Sequence, residues 1–136
     1  MRFIQNRKLW ESKQKFPDLK KIDYDGFLIY VGKDAKSNDF LTFNIADDDD
    51  IWMHVKGSPG SHVVIKIKQT NSLKEVFLPS DSILRYAADL AKKNSKAKNE
   101  TSVKVVWCKR KFVKKEAGMN DGQVKVDYLN AQEITI

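Results

Sequence analysis

Apolar and polar positions alternate on both sides of a Gly-Ser-Pro-Gly sequence at residues 57–60. Because successive side chains of a strand point to opposite faces, this alternation predicts two strands. The first would carry Ile51, Met53 and Val55 on one face, and Trp52, His54 and Lys56 on the other. The second would carry Val63, Ile65 and Ile67 on one face, and His62, Val64, Lys66 and Lys68 on the other. Proline and glycine favour a tight reversal between them, so the sequence predicts a β-hairpin.

The less apolar face of this hairpin has an unusual composition for a solvated sheet. It combines an indole, two imidazoles and several lysines, which together suit stacking on bases and pairing with phosphates. A structural interpretation stays open beside the functional one. Trp52 would then lie under a helix, with His54 and His62 as hydrogen-bonded partners across the strands.

The remaining segments indicate a mixed fold. Residues 26–31 and 103–108 are typical of buried strands, residues 32–39 of a loop, and residues 40–46 fit either a short helix or a strand. Helical spacing predicts one main helix that begins at Ser80 or Asp81 and has one apolar stripe, formed by Ile83, Leu84, Ala87, Leu90 and Ala91. Two short strands follow at residues 123–128 and 133–136. We therefore expect a single α+β domain, with a twisted, mainly antiparallel sheet, a central hairpin and one main helix packed on it.

Charge is distributed unevenly along the chain. Residues 1–50 hold nine Lys or Arg against ten Asp or Glu, whereas residues 51–136 hold sixteen against eight, within a net charge of +7. This asymmetry favours an anionic partner, and nucleic acid is favoured over lipid because no basic amphipathic helix with a large apolar face is evident. Residues 109–115 are the densest basic stretch, with five cations in seven positions. Lysines at the end of the helix, Lys92, Lys93, Lys96 and Lys98, complement its dipole and would also reach phosphates.

Composition bounds the remaining classes of function. A chain of 136 residues with 41% hydrophobic content fits one domain, for which we expect residues 1–20 as an appendage and residues 21–136 as the folded part. The single cysteine, the lack of a signal peptide and the lack of a long apolar run predict a cytoplasmic protein that is not in a membrane. The four aspartates at residues 47–50 lack the EF-hand pattern, so we expect a solvated loop there and neither a metal nor another cofactor.

The order and sequence of these segments resemble the NFACT-R domain. The resemblance is carried by Tyr30-Val31-Gly32-Lys33-Asp34, by the Trp52-Met53-His54 strand with Pro59-Gly60-Ser61-His62, by the Ala87-Ala88 helix, and by Val113-Lys114-Lys115 with Gly122-Gln123-Val124. It covers about residues 21–136 and implies an RNA-binding module. In the multidomain members, which are ribosome-associated quality-control factors, this module works on tRNA and the obstructed large ribosomal subunit.

From the residues and the resemblance together, we expect a domain that binds structured RNA, either tRNA or rRNA, without catalysis of its own. Trp52 is expected to stack or pack, and His54, Ser61 and His62 to hydrogen-bond sugar or phosphate. Charge pairing with phosphate is expected from eight residues, namely Lys33, Lys56, Lys66, Lys109, Arg110, Lys111, Lys114 and Lys115.

Two other classes of function stay open. An RNA-modifying or RNA-cleaving enzyme would use His54 and His62 as an acid and base, together with Asp50 or Ser61. A protein-interaction adaptor would instead act through residues 1–20. For the enzyme alternative, the sequence contains no recognised nucleophile motif, and Cys108 with the two histidines lacks a recognised zinc spacing.

Overall fold

A computed structural model of the chain describes residues 18–69 and 76–136. The main sheet has six antiparallel strands in the order β1-β2-β4-β3-β7-β10. These strands are β1 (Leu19–Tyr24), β2 (Phe27–Gly32), β3 (Ile51–Val55), β4 (Val63–Ile65), β7 (Lys104–Lys109) and β10 (Gln132–Thr135). Two small ribbons pair β5 (Lys68–Gln69) with β6 (Val76–Phe77) and β8 (Val113–Lys114) with β9 (Lys125–Val126). The expected α+β fold with a mainly antiparallel sheet is confirmed.

The predicted hairpin is the centre of this sheet. Strands β3 and β4 pair in antiparallel register, with Ile51 opposite Ile65 and Met53 opposite Val63. Their apolar face packs in one core cluster with helix α2 (Asp81–Lys93), as the alternation predicted. Ser80 caps this helix by accepting a hydrogen bond from the Ile83 N–H. Small residues of α2, Ala87, Ala88 and Ala91, are fully buried and let the helix approach the sheet closely.

A second layer covers the opposite face of the sheet. Helix α1 (Ala35–Phe40) continues into a π-helical turn (Leu41–Ile45). The predicted loop at residues 32–39 is therefore wrong beyond Asp34, and the helical alternative for residues 40–46 is the correct one through Ile45. The local cause is a capping box, in which the Asp34 side chain accepts from the Ser37 N–H and the Ser37 hydroxyl accepts from the Asp34 N–H.

Trp52 is central to this second layer. Its indole is 1% exposed and packs with Leu41, Ala46, Val64, Cys108 and Val113. The face that carries Trp52 and His62 is therefore a second core face and not a solvated one. Of the two roles expected for Trp52, packing fits this position, because a buried ring offers no face to a base.

The C-terminal part is less regular than the sequence predicted. Of residues 123–128, only Lys125–Val126 form a strand, and Tyr128–Asn130 form a 3-10 turn before β10. At the other end, β1 begins at Leu19, so the last two residues of the expected appendage pair with β2. Residues 1–17 lie outside the described part, and the role expected for them stays a prediction. In the described ranges, no helix has the length and apolar character of a membrane span.

Candidate nucleic-acid interface

A groove of about 1050 Å³ opens at the end of the β3–β4 hairpin. One wall is the hairpin loop, residues 56–62, and the second is the segment that follows α2, residues 94–98. Residues 33–38 and 119–124 close the remaining sides. The groove therefore brings together four stretches that are far apart in sequence.

Backbone contacts fix the hairpin loop against the segment after α2. The Ser61 N–H donates to the Asn94 carbonyl at 3.0 Å, and the Lys96 N–H donates to the Pro59 carbonyl at 3.0 Å. Between these bonds, Gly60 forms an isolated bridge with Ser95. A Cβ atom at Gly60 would lie 2.6 Å from the Ser95 Cβ, so only glycine permits this approach. The contact places the Lys96 and Lys98 backbone beside the hairpin loop.

Asn38 holds the hairpin loop from the α1 side. Its side-chain oxygen accepts from the His62 N–H at 3.0 Å, and its amide group donates to the Gly60 carbonyl at 3.3 Å. The Asn38 side chain lies so close to Gly32 that a Cβ atom there would be 1.9 Å from its oxygen. Gly32 is thus required by packing, and the loop after β2 supports the groove.

Five lysines line this groove, namely Lys33, Lys56, Lys93, Lys96 and Lys98. The first three form exposed ion pairs with Asp18 at 2.9 Å, Glu133 at 2.6 Å and Asp89 at 2.8 Å, respectively. Exposed pairs of this kind contribute little stability, so their lysines can exchange a carboxylate for a phosphate at low cost. Lys96 and Lys98 are exposed and have no carboxylate partner among the described residues. Two aspartates, Asp34 and Asp121, also line the groove, so its five lysines leave an excess of positive charge.

The two histidines lie under the hairpin loop, and His62 is only 1% exposed. Its ring contacts Trp52 edge-on at 5.2 Å between centroids and His54 at 5.4 Å, while its Nδ1 lies 2.8 Å from the Thr42 hydroxyl. Burial, followed by the neighbouring His54, lowers the pKa of His62 to about 3. His62 is therefore neutral, and its position supports the loop and leaves its ring no direct access to RNA.

His54 is half-buried and lines the groove. Burial lowers the pKa of its imidazole, and the Gly60 and Val55 backbone offsets only part of this effect. The acid expected for an enzymatic role does not join it, because Asp50 lies at the opposite end of β3 and accepts from Lys66 and the Ile67 N–H. Ser61 is buried at the hairpin loop, where its N–H is held by Asn94.

The first three cations of the densest basic stretch, Lys109 to Lys111, do not lie at the groove. Lys109 pairs in register with Ile51, whereas the hairpin loop follows Val55, so the two sites are separated by about 13 Å of strand. The acidic loop that precedes β3 contacts these cations. Arg110 is 2.8 Å from Asp48, while Lys109 and Lys111 are 3.5 and 3.8 Å from Asp49. The expected basic surface is thus divided between two ends of the sheet, and this end is largely neutralised.

The remaining predicted cations also differ in position. Lys66 forms ion pairs with Asp47 and with buried Asp50, both on the acidic loop. Lys115 pairs with Asp39 at 2.9 Å and also donates to the carbonyls of residues 120 and 123. Lys114 is exposed and has no carboxylate partner within the described ranges. In the same ranges, no group of three His, Cys, Asp or Glu side chains is arranged to hold a metal ion.

Comparison with known families decides what kind of domain this is. The family described as "NFACT protein RNA binding domain" matches residues 15–127, which are 113 of the 136 residues. The chain belongs to the NFACT RNA-binding domain family. The resemblance noted in the sequence is therefore confirmed, and RNA binding is the property by which this family is described.

Several curated proteins are similar in sequence to this chain. The Rqc2 homolog RqcH of Bacillus subtilis is 40% identical over 102 residues, which are 75% of this chain and 16% of that protein. RqcH of Streptococcus pneumoniae is 34% identical over 127 residues, 90% of this chain and 21% of that protein. A coiled-coil domain-containing protein 25 homolog of Dictyostelium discoideum is 30% identical over 109 residues, 79% and 50% of the two chains. The chain thus spans about a fifth or less of the RqcH proteins that it matches.

A solved structure shares the fold of this NFACT RNA-binding domain. It is the C-terminal part of the fibronectin/fibrinogen-binding protein from Streptococcus suis, with a TM-score of 0.75 and 29% identity. The match covers 98% of this chain and 55% of that chain.

Lys96, Lys98 and Tyr128 are groove residues that were not among the site candidates drawn from the sequence. Lys96 and Lys98 were noted as lysines at the helix end that complement its dipole and would reach phosphates, but nothing local showed that Gly60 would dock against Ser95 and bring them to the hairpin loop. Tyr128 was counted as part of a strand, whereas it lies on a 3-10 turn with 60% of its surface exposed.

Proposed function

We propose that this domain binds structured RNA, either tRNA or rRNA, through the groove at the β3–β4 hairpin, and that it has no catalysis of its own. The observation that carries the proposal is the meeting of the hairpin loop with the segment after α2. It places Lys96 and Lys98, which lack carboxylate partners in the described ranges, beside an open groove. Lysines in such a groove bind phosphates and release counterions.

The residues predicted from the sequence take different roles in this proposal. Lys33 and Lys56 contact phosphate directly, because they line the groove and their ion pairs are exposed. The Ser61 backbone and the buried Trp52 and His62 hold the hairpin loop in place. His54 lies at the groove as a neutral imidazole whose unprotonated ring nitrogen accepts a hydrogen bond from a sugar hydroxyl.

The basic stretch at residues 109–115 acts as a secondary contact. Lys109, Arg110, Lys111 and Lys66 already face the acidic loop, so each gains less from a phosphate than an unpaired lysine would gain. Lys114 is the exposed cation of this stretch that remains available. Lys115 instead orders the residues around Gly122.

For the cellular role, we propose work on tRNA or the large ribosomal subunit in the cytoplasm, within ribosome-associated quality control or tRNA metabolism. The proposal is supported by the RqcH relatives and by the family, although the chain spans only about a fifth or less of those relatives. The neutral histidines, beside which no carboxylate lies among residues 18–69 and 76–136, support a binding role over acid–base catalysis.

Crosslinking in the protein's own cells tests this function. RNA crosslinked to the wild-type protein would be purified and sequenced, beside a Lys96→Ala/Lys98→Ala variant and a basic control protein. We expect tRNA or a discrete rRNA region to be enriched with the wild type and lost with the variant. Enrichment no greater than that of the control protein would refute the RNA-binding proposal, and enrichment retained by the variant would refute the groove as its surface.

A further inference from the structure

A second, smaller cavity adjoins the groove. It has a volume of about 530 Å³ and is lined by Lys56, Val106, Tyr128, Ala131, Gln132 and Glu133. Three of these residues, Lys56, Val106 and Tyr128, also line the groove. The cavity therefore continues from the proposed path of the phosphate backbone, and its volume is within the range of small-ligand sites.

Tyr128 is the main aromatic surface of this cavity. Tyr128 is 60% exposed, whereas Trp52 is only 1% exposed. The 3-10 turn Tyr128–Asn130 that carries it is fixed by Asp127, whose carboxylate accepts from the Leu129 N–H at 3.2 Å and from the Asn130 amide at 2.7 Å. The ring is thus exposed on an ordered turn, as a stacking platform must be.

The opposite side of the cavity supplies charge and hydrogen-bonding groups. Lys56 donates to Glu133 at 2.6 Å, and its ammonium lies 5.9 Å from the centroid of the Tyr128 ring. This hydrogen bond raises the pKa of Lys56 and lowers the pKa of Glu133, so both groups stay charged at neutral pH. A carboxylate has four lone-pair sites, and one lysine does not occupy them all.

We propose that this cavity binds the base of an unpaired nucleotide whose phosphate lies in the groove. The base stacks on Tyr128, its edge faces Gln132 and Glu133, and Lys56 contacts the adjoining phosphate. Bases of a continuous duplex are held in the stack and cannot enter, so the ligand class is RNA with an unpaired nucleotide next to a helix. This inference rests on the proposed RNA binding and adds the position that selects among RNAs.

The test compares two RNAs that differ only in a short single-stranded overhang on the same duplex. Stacking of one base on an aromatic side chain predicts that Tyr128→Ala weakens binding of the overhang RNA by about 5- to 150-fold. Binding of the blunt RNA should weaken much less, because Tyr128 only borders the groove, and Tyr128→Phe should retain most of the affinity because it retains the ring. Leu129→Ala is the matched control, since Leu129 is 97% exposed on the same turn and lines neither cavity.

The outcomes separate this inference from the proposed function. The base pocket is refuted if Tyr128→Ala affects both RNAs equally or neither, or if the wild type does not prefer the overhang RNA. The Lys96→Ala/Lys98→Ala variant is measured on the same two RNAs. If it loses affinity for both while Tyr128→Ala has no effect, the groove stands and the pocket fails. If it binds both as tightly as the wild type, the groove proposal itself fails.

Discussion

The Nδ1 atom of His62 lies 2.8 Å from the Thr42 hydroxyl, in a hydrogen bond buried between the sheet and the α1 layer. The Trp52 indole, which can only donate, lies 3.2 Å from the same hydroxyl oxygen. Thr42 therefore accepts from Trp52, and its hydroxyl donates to His62 Nδ1 in the tautomer protonated on Nε2 and accepts from Nδ1 in the other tautomer. One hydroxyl thus satisfies both buried rings beneath the hairpin loop.

Removing this hydroxyl should destabilise the domain. Thr42→Val keeps the shape of the side chain but leaves the Trp52 N–H and His62 Nδ1 without a partner, at about 1–3 kcal/mol for each group. Unfolding in urea, followed by tryptophan fluorescence, measures the loss. Thr42→Ser is the control, because it keeps the hydroxyl and should cost only about 1 kcal/mol for the missing methyl group. Equal stability of the valine and serine variants would contradict the shared hydrogen bond.

The lowered pKa of His62 predicts that stability falls with acidification. Between its folded pKa of about 3 and its ordinary value of 6.5, the unfolded state binds the proton and the folded state does not. The stabilisation is complete above pH 6.5, and about 2 kcal/mol should be lost between pH 7 and pH 5 for His62 alone. His54, whose pKa is also lowered, acts in the same direction.

The site of this effect can be observed directly by NMR. The ring resonances of His62 should show no titration between pH 7.5 and pH 5, because burial lowers the pKa of the ring to about 3. A titration midpoint near 6.5 would show that the ring is accessible to solvent, which would contradict its burial.

Gly60 should be required for both stability and RNA binding. An alanine Cβ would meet Ser95, so Gly60→Ala must displace the hairpin loop from the segment after α2 and lower affinity for tRNA. Gly26→Ala is the control, since Gly26 lies outside the groove and has a positive φ of 83° but nothing within 4 Å of an added Cβ. It should cost about 1–2 kcal/mol of stability through backbone strain alone, with affinity unchanged in the folded protein. Equal affinity of the two folded variants would contradict the role of the Gly60 contact.

Lys115 and Lys114 should behave differently despite their equal charge. Lys115 is hydrogen-bonded to Asp39 and to two carbonyls of the loop around Gly122, and the Gly122 N–H donates to Asp39 at 3.0 Å. Lys115→Ala should therefore accelerate amide hydrogen exchange in residues 116–124. Lys114→Ala should leave that exchange unchanged, because Lys114 is exposed and unpaired among the described residues. Similar exchange in both variants would contradict the structural role of Lys115.

Local patterns predicted the elements whose environment is set by periodicity. The alternation around Ile51 and Val63 placed the hairpin faces correctly, and helical spacing with Ser80 as cap placed α2. Helix α1 was missed because it has six residues and no apolar stripe over the polar stretch at Ala35, so only its capping box marked it.

The candidate site was harder to predict because the sequence does not show which charged side chains become neighbours in the fold. Lys109 and Asp49 are 60 positions apart in the chain, yet antiparallel pairing of β3 with β7 brings them together. Trp52 and His62 fit a binding face by composition alone, and only the α1 layer, which the sequence left ambiguous, shows that they are buried. Long-range pairing therefore decides which cations remain available to RNA.

The salt dependence of tRNA binding shows most directly whether the groove is the main RNA-binding surface. Affinity would be measured over a range of KCl concentrations for the wild type and for two variants that each lose two positive charges, Lys96→Ala/Lys98→Ala and Lys109→Ala/Lys111→Ala. If the groove binds the phosphates, the first variant should flatten the salt slope by about one to two units, and the second by less because Asp49 already faces both lysines. An equal or larger flattening in the second variant would contradict the groove as the main RNA-binding surface.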